Sequence, residues 1–111
     1  MHLPYHCVMR DADFVKVAKA LADATRHRML LELRAAGELT CSQICEKFPQ
    51  SQPTISHHIK ALAEAGLVKC RKEGQFHVIS VDEELLASFA ADISPESAES
   101  RKRVRPAGVR E

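Results

Sequence analysis

Residues 51–65 read SQPTISHHIKALAEA, and their pattern is the strongest indication of the fold in this sequence. Ser51 suits the N-cap of a helix because its hydroxyl can accept a hydrogen bond from the open backbone end. Pro53 suits the first turn, where a missing N–H removes no helical bond. One face of this helix is apolar at 3.6 residues per turn, and it consists of Ile55, Ile59 and Leu62. The stretch therefore predicts an amphipathic helix with its polar face left free.

Upstream of this helix, apolar spacing and turn residues predict three further helices. Apolar residues recur at helical spacing after Asp13, over residues 14–21, and again over residues 24–36 before a glycine. A third, short helix is indicated by Thr40 and Gln43, which form a capping box. The chain thus reaches residue 51 as three helices.

Downstream, the pattern changes from helical to extended. Residues 67–72 and 76–81 are rich in β-formers and flank Glu73-Gly74-Gln75, which is typical of a hairpin. Asp82 then caps a last apolar helix. The predicted fold is mainly α with a β-hairpin wing, a winged helix-turn-helix in the order α-α-α-α-β-β-α. We expect an N-terminal arm over residues 1–12, one domain over 13–93, and a disordered basic tail over 94–111.

Composition limits the function classes. The chain has 111 residues, 45% hydrophobic and 28% charged, and a net charge of +1, which is typical of a soluble globular domain. No apolar run approaches the ~20 residues of a membrane span, and the first 13 residues lack a secretory pattern, so a cytoplasmic location is expected. The sequence has no glycine-rich phosphate loop and no nucleophile elbow, so no enzyme is predicted.

The free polar face of residues 51–65 fits DNA. A helix of this length enters the major groove, and a hairpin wing reaches the flanking backbone. Gln52 can pair with adenine, and the Thr54 methyl can contact a thymine methyl. The predicted DNA contacts are Gln52, Thr54, Ser56, His57, His58, Lys60, Arg71, Lys72 and Gln75. The alternative is a winged helix used only for protein interaction, with this face solvated.

Three segments are similar to those of a known family. Residues 21–30 (LADATRHRML), 51–68 (SQPTISHHIKALAEAGLV) and 71–75 (RKEGQ) resemble the ArsR/SmtB repressors of bacteria over roughly residues 13–92. The resemblance implies a homodimer that binds double-stranded operator DNA and represses its own operon. It also implies a dimer interface on the first and last helices, here at Phe14, Val17, Leu21, Leu85, Leu86 and Phe89.

Many members of that family release DNA on binding a metal or metalloid. The last helix has no histidine, which argues against the zinc site that some members carry there. Cys41 and Cys45 are four residues apart and share one helical face, and Cys7 on the arm would be a third thiolate for trivalent arsenic. These three are the candidate ligands for a thiophilic metal or metalloid ion, and no other cofactor is predicted. The alternatives are a repressor that responds to redox state, to a non-metal effector, or to none. Cys70 on the first wing strand is assigned a structural or surface role.

Overall fold

The computed structural model describes residues 9–94, and within them the winged helix-turn-helix is confirmed. The helical part and the wing follow in the predicted order, with one additional short strand. The elements are α1 (Asp11–Leu21), α2 (Ala24–Ala36), β1 (Glu38–Thr40), α3 (Cys41–Lys47), α4 (Gln52–Glu64), β2 (Val68–Glu73), β3 (Phe76–Val81) and α5 (Glu83–Asp92). We call α4 the reading helix, after its predicted role, and the β2–β3 hairpin the wing.

Helix ends follow the predicted capping residues with one exception. Thr40 and Gln43 form both bonds of a capping box at α3, and the Asp82 carboxylate accepts from the Leu85 N–H at α5. The first helix differs, because it begins at Asp11 and Arg10 occupies its N-cap without a side-chain bond. Asp13 therefore lies inside the first turn, where its negative charge still favours the helix dipole.

The sheet has three antiparallel strands in the order β1-β3-β2. Ile79 at its centre pairs with Leu39 of β1 on one side and with Cys70 of β2 on the other. These three side chains share a face because directly paired residues project to the same side of a sheet. Leu39 and Ile79 are buried, so this face is turned to the core at these two strands, whereas Cys70 on the edge strand β2 is exposed.

The core lies between this sheet face and the helices. Ile55, Ile59 and Leu62 of α4 are all buried, which confirms the predicted apolar stripe. Met29 and Leu33 of α2 complete the centre with 1% exposure each. Burial of each such side chain contributes about 1.5–3 kcal/mol to the free energy of folding, because its apolar surface is removed from water. None of the helices within residues 9–94 is both long and apolar enough to cross a bilayer.

Candidate nucleic-acid interface

The reading helix presents most of its predicted contact residues to solvent. Ser51 accepts a hydrogen bond from the Thr54 N–H, and its hydroxyl lies 3.0 Å from the Thr54 hydroxyl. Burial of the Ile55 stripe fixes the rotation of α4, so the opposite face is exposed. The predicted residues on that face are Gln52, Thr54, Ser56, His57 and Lys60.

His58 has a different environment from the one predicted. Its side chain is half-buried, and its Nδ1 lies 3.3 Å from Nη1 of Arg26 on α2. Its immediate neighbour His57, by contrast, is exposed. The structure thus places His58 at the contact between α4 and α2, and a DNA contact by its remaining exposed surface stays a prediction.

The turn before the reading helix is also anchored to α2. The Gln50 Nε2 donates to Thr25 Oγ1 at 3.1 Å, while the other amide atom, Oε1, is buried and has no hydrogen-bond partner among residues 9–94. The turn and the middle of α4 thus both rest on the first turn of α2. These two contacts support the reading helix from the side of α2.

The wing offers fewer free cations than the sequence predicts. Lys72 and Gln75 are exposed near its tip. Arg71 is exposed too, but it forms ion pairs with Glu38 at 3.0 Å and Glu73 at 2.9 Å. The hydrogen bonds from Arg71 lower the pKa of the Glu38 carboxyl below its ordinary value. Arg71 therefore already has two carboxylate partners within its own sheet, and its phosphate contact stays a prediction.

The predicted dimer residues pack largely within one chain. Val17 is fully buried in the core, so its assignment to an interface was wrong: apolar spacing on α1 marks the side that faces its own domain as well. Phe14 and Phe89 stack with ring centroids 4.7 Å apart. The remaining three are half-buried against the core: Leu21, Leu85 and Leu86.

The terminal helices nevertheless carry apolar side chains that nothing in the described chain covers. Val15 on α1 is 48% exposed and Ile93 after α5 is 63% exposed. Val15 was missed because it lies outside the 14, 17, 18, 21 spacing that the sequence pattern favoured. A valine at a position outside the regular apolar stripe is the sequence signal that could have identified Val15.

The cysteines lie where α3 meets the sheet. Cys41 and Cys45 are one turn apart, and both are half-buried against the core. Burial, together with the nearby Cys70 and Cys45, raises the pKa of the Cys41 thiol. The proximity of Cys70 was missed because it depends on β1, which carries the chain into α3 beside the wing.

A complete metal site is not formed by these groups. Within residues 9–94, no three His, Cys, Asp or Glu side chains are arranged to hold an ion. Cys7, the predicted third ligand, lies outside the described residues.

Comparison with known proteins shows which family this chain belongs to. A family model described as a helix-turn-helix domain matches residues 21–71. The arsenical resistance operon repressor of Staphylococcus aureus is 39% identical over 78 residues, which are 70% of this chain and 74% of that protein. An ArsR-like transcriptional regulator from Rhodococcus is 30% identical in sequence and has a TM-score of 0.71, covering 84% of this chain and 87% of that one. This chain belongs to the ArsR family of transcriptional regulators.

Two further proteins show how far the similarity extends along the chain. A cadmium resistance transcriptional regulatory protein, the CadC homolog of S. aureus, is 39% identical over 65% of this chain and 60% of its own length. The chain thus spans between about three fifths and three quarters of these two S. aureus relatives. A winged helix-turn-helix domain from Mycobacterium bovis, described as homodimeric, shares the fold at 23% identity and a TM-score of 0.64, with 94% of this chain and 98% of that one covered.

Proposed function

We propose that this ArsR-family protein is a homodimeric repressor that reads a pseudo-palindromic operator with α4 and holds the flanking backbone with its wing. One observation carries the proposal: the helix whose apolar stripe is buried presents Gln52, Thr54, Ser56, His57 and Lys60 together on its exposed face. These side chains are of the types that contact base edges and phosphate. The protein acts in the cytoplasm and is a regulator rather than an enzyme.

The dimer is supported by the terminal helices. Val15 and Ile93 leave apolar surface exposed on the two helices whose rings, Phe14 and Phe89, already stack on each other. A second copy related by a two-fold axis would cover this surface and repeat the reading helix about one DNA turn, ~34 Å, away. The M. bovis domain of the same fold is described as homodimeric.

The effector we propose is a thiophilic metal or metalloid. Two relatives are named for arsenical and cadmium resistance, and Cys41 and Cys45 share one face of α3, the helix that precedes the turn to α4. Cys7 is the proposed third ligand. Bound thiolates at α3 would shift the support of the reading helix and so weaken DNA binding.

Selection from a random-sequence DNA pool tests the proposal. The full chain is expected to enrich an inverted repeat whose half-sites are centred about 10 base pairs apart. A variant with Thr54, His57 and Lys60 changed to alanine should lose that binding, whereas a variant with His27, Arg28 and Glu46 changed to alanine should keep it. If no sequence is enriched, or if both variants bind equally well, the proposal is wrong and the alternative of a protein-interaction module is favoured.

The effector is tested on the selected duplex. Arsenite or cadmium should release the wild-type protein and fail to release a Cys41→Ser, Cys45→Ser variant, with Cys70→Ser as the matched control. Release of the double variant at the same concentrations would contradict a role for these thiols.

A further inference from the structure

One guanidinium group joins three elements beneath the reading helix. Arg26, on the first turn of α2, donates from Nε to the Ala20 carbonyl oxygen at 2.7 Å. Its Nη1 lies 3.3 Å from His58 Nδ1 on α4, and its backbone N–H donates to Asp23 Oδ1 at 3.1 Å. Arg26, His58 and Asp23 are all half-buried, so these contacts are partly shielded from water.

The two side-chain bonds of Arg26 have distinct partners. Ala20 is in the last turn of α1, where carbonyl groups have no partner within the helix and attract a cation. His58 is near the middle of α4, between the exposed His57 and the buried Ile59. Arg26 therefore ties the carboxyl end of α1 to the centre of the reading helix.

We propose that Arg26 is a positioning residue for DNA binding, which fixes the reading helix against α1 through its hydrogen bond to His58. The inference rests on the proposed function and extends it to a residue that does not itself contact DNA. Val15, which we propose lies at the dimer interface, is also on α1. The Arg26–His58 bond therefore sets the angle between the reading helices of the two copies.

The bond also depends on the charge of His58. A neutral imidazole with its proton on Nε2 accepts at Nδ1, whereas a protonated imidazole has no acceptor there and would place a second positive charge beside Arg26. The Asp23 carboxylate partly offsets that repulsion. Within residues 9–94, the neighbouring charged or titratable groups include His57, whose ring centroid is 6.0 Å from that of His58, and Lys16, Lys19 and Glu64, which line a surface pocket of about 240 Å³ together with Arg26.

Two variants of the full chain separate positioning from general stability. Binding is measured by fluorescence anisotropy on the duplex recovered by selection. Arg26→Gln should raise Kd roughly tenfold, the value of a lost charged hydrogen bond. His58→Asn should stay within about threefold of wild type near neutral pH, because the asparagine amide oxygen can take the place of Nδ1 as acceptor. His27→Asn, an exposed position next to Arg26, is the control.

The decisive readout is the ratio of Kd at about pH 5.5 to Kd at about pH 8, the interval over which histidine changes charge. Wild type and His27→Asn should share one ratio, and His58→Asn should show a ratio at least about threefold smaller, because the asparagine amide gains no charge and keeps its acceptor for Arg26 at both pH values. An unchanged ratio in His58→Asn, or a folded Arg26→Gln protein with wild-type Kd, would overturn the inference. If Arg26→Gln does not fold, the His58→Asn ratio alone decides. Failure of the wild type to bind any selected duplex would instead refute the proposed function itself, and this inference with it.

Discussion

Arg71 on β2 reaches across the central strand to Glu38 on β1. Its Nη1 donates to Oε1 at 3.0 Å and its Nη2 to Oε2 at 3.2 Å, so the pair is bidentate. Val78 of β3 lies between them, paired directly with Arg71. This contact attaches the three-residue strand β1 to the wing, and it occupies a cation that the sequence assigns to phosphate.

Replacing Glu38 with glutamine should release Arg71 toward DNA. The substitution removes the competing carboxylate, so we expect tighter binding at low salt and a salt dependence steeper by about one unit of log–log slope, the effect of one added phosphate contact. Anisotropy titrations over a series of salt concentrations measure this slope. Glu46→Gln removes an exposed charge from α3 and is the control. The same change in both variants would mean that only net charge matters.

The same carboxylate makes stability depend on pH. Because its pKa is lowered in the folded state, Glu38 stabilises the fold above its ordinary value of 4.5, and that stabilisation is lost as the pH falls through the lower folded value. Wild type should therefore melt at a slightly higher temperature than Glu38→Gln at neutral pH, with the difference vanishing in strong acid. Thermal unfolding followed by circular dichroism measures both. A difference that stays constant with pH would exclude the carboxylate as its cause.

Val15 offers the sharpest test of the dimer. Val15 and Leu31 are both 48% exposed, but Val15 lies on α1 and Leu31 on α2. A charge buried at an interface is strongly unfavourable. We therefore expect Val15→Glu to be monomeric and Leu31→Glu to remain dimeric in analytical ultracentrifugation. A dimeric Val15→Glu protein would place the interface elsewhere.

Gly66, at the corner between the reading helix and the wing, should be intolerant of a side chain. Its φ is +88°, and an added Cβ would lie 2.8 Å from Leu85 Cδ1 on α5. Gly37 has a φ of +89° with nothing within 4 Å, so it shares the backbone strain alone. Gly37→Ala should lose about 1–2 kcal/mol, and Gly66→Ala about 1 kcal/mol more because Leu85 must move. Urea unfolding compares the two. Equal losses would show that Leu85 yields freely.

Local sequence patterns predicted the helices and the wing strands well, but they did not predict contacts between residues far apart in the chain. The Ile55 stripe, the Ser51 cap and the wing turn each depend on neighbours within a few residues, so the sequence predicts them directly. Strand β1 has only three residues, too few to show a period, and it forms by pairing with a strand about 40 residues later. Without β1, neither the Glu38–Arg71 pair nor the approach of Cys70 to Cys41 can be foreseen.

The environment of His58 shows the same limit within a helix that was correctly predicted. Periodicity separates the buried stripe from the polar positions, but it does not distinguish a polar residue in solvent from one beside Arg26, 32 positions earlier in the chain. Val17 shows a related limit for an apolar residue. Its apolar spacing marks burial, and only the fold shows that the burial lies within one chain.

Whether α4 reads bases is shown by the DNA sequence that the protein selects. Gln52 is exposed at the amino end of α4, where a side chain can reach a base edge. We predict that Gln52→Ala still selects an inverted repeat, with base preference lost at one symmetric pair of positions and a Kd weaker by about 1–3 kcal/mol on the wild-type site. A consensus identical to that of wild type, at every position and with equal affinity, would contradict base reading by this end of the helix.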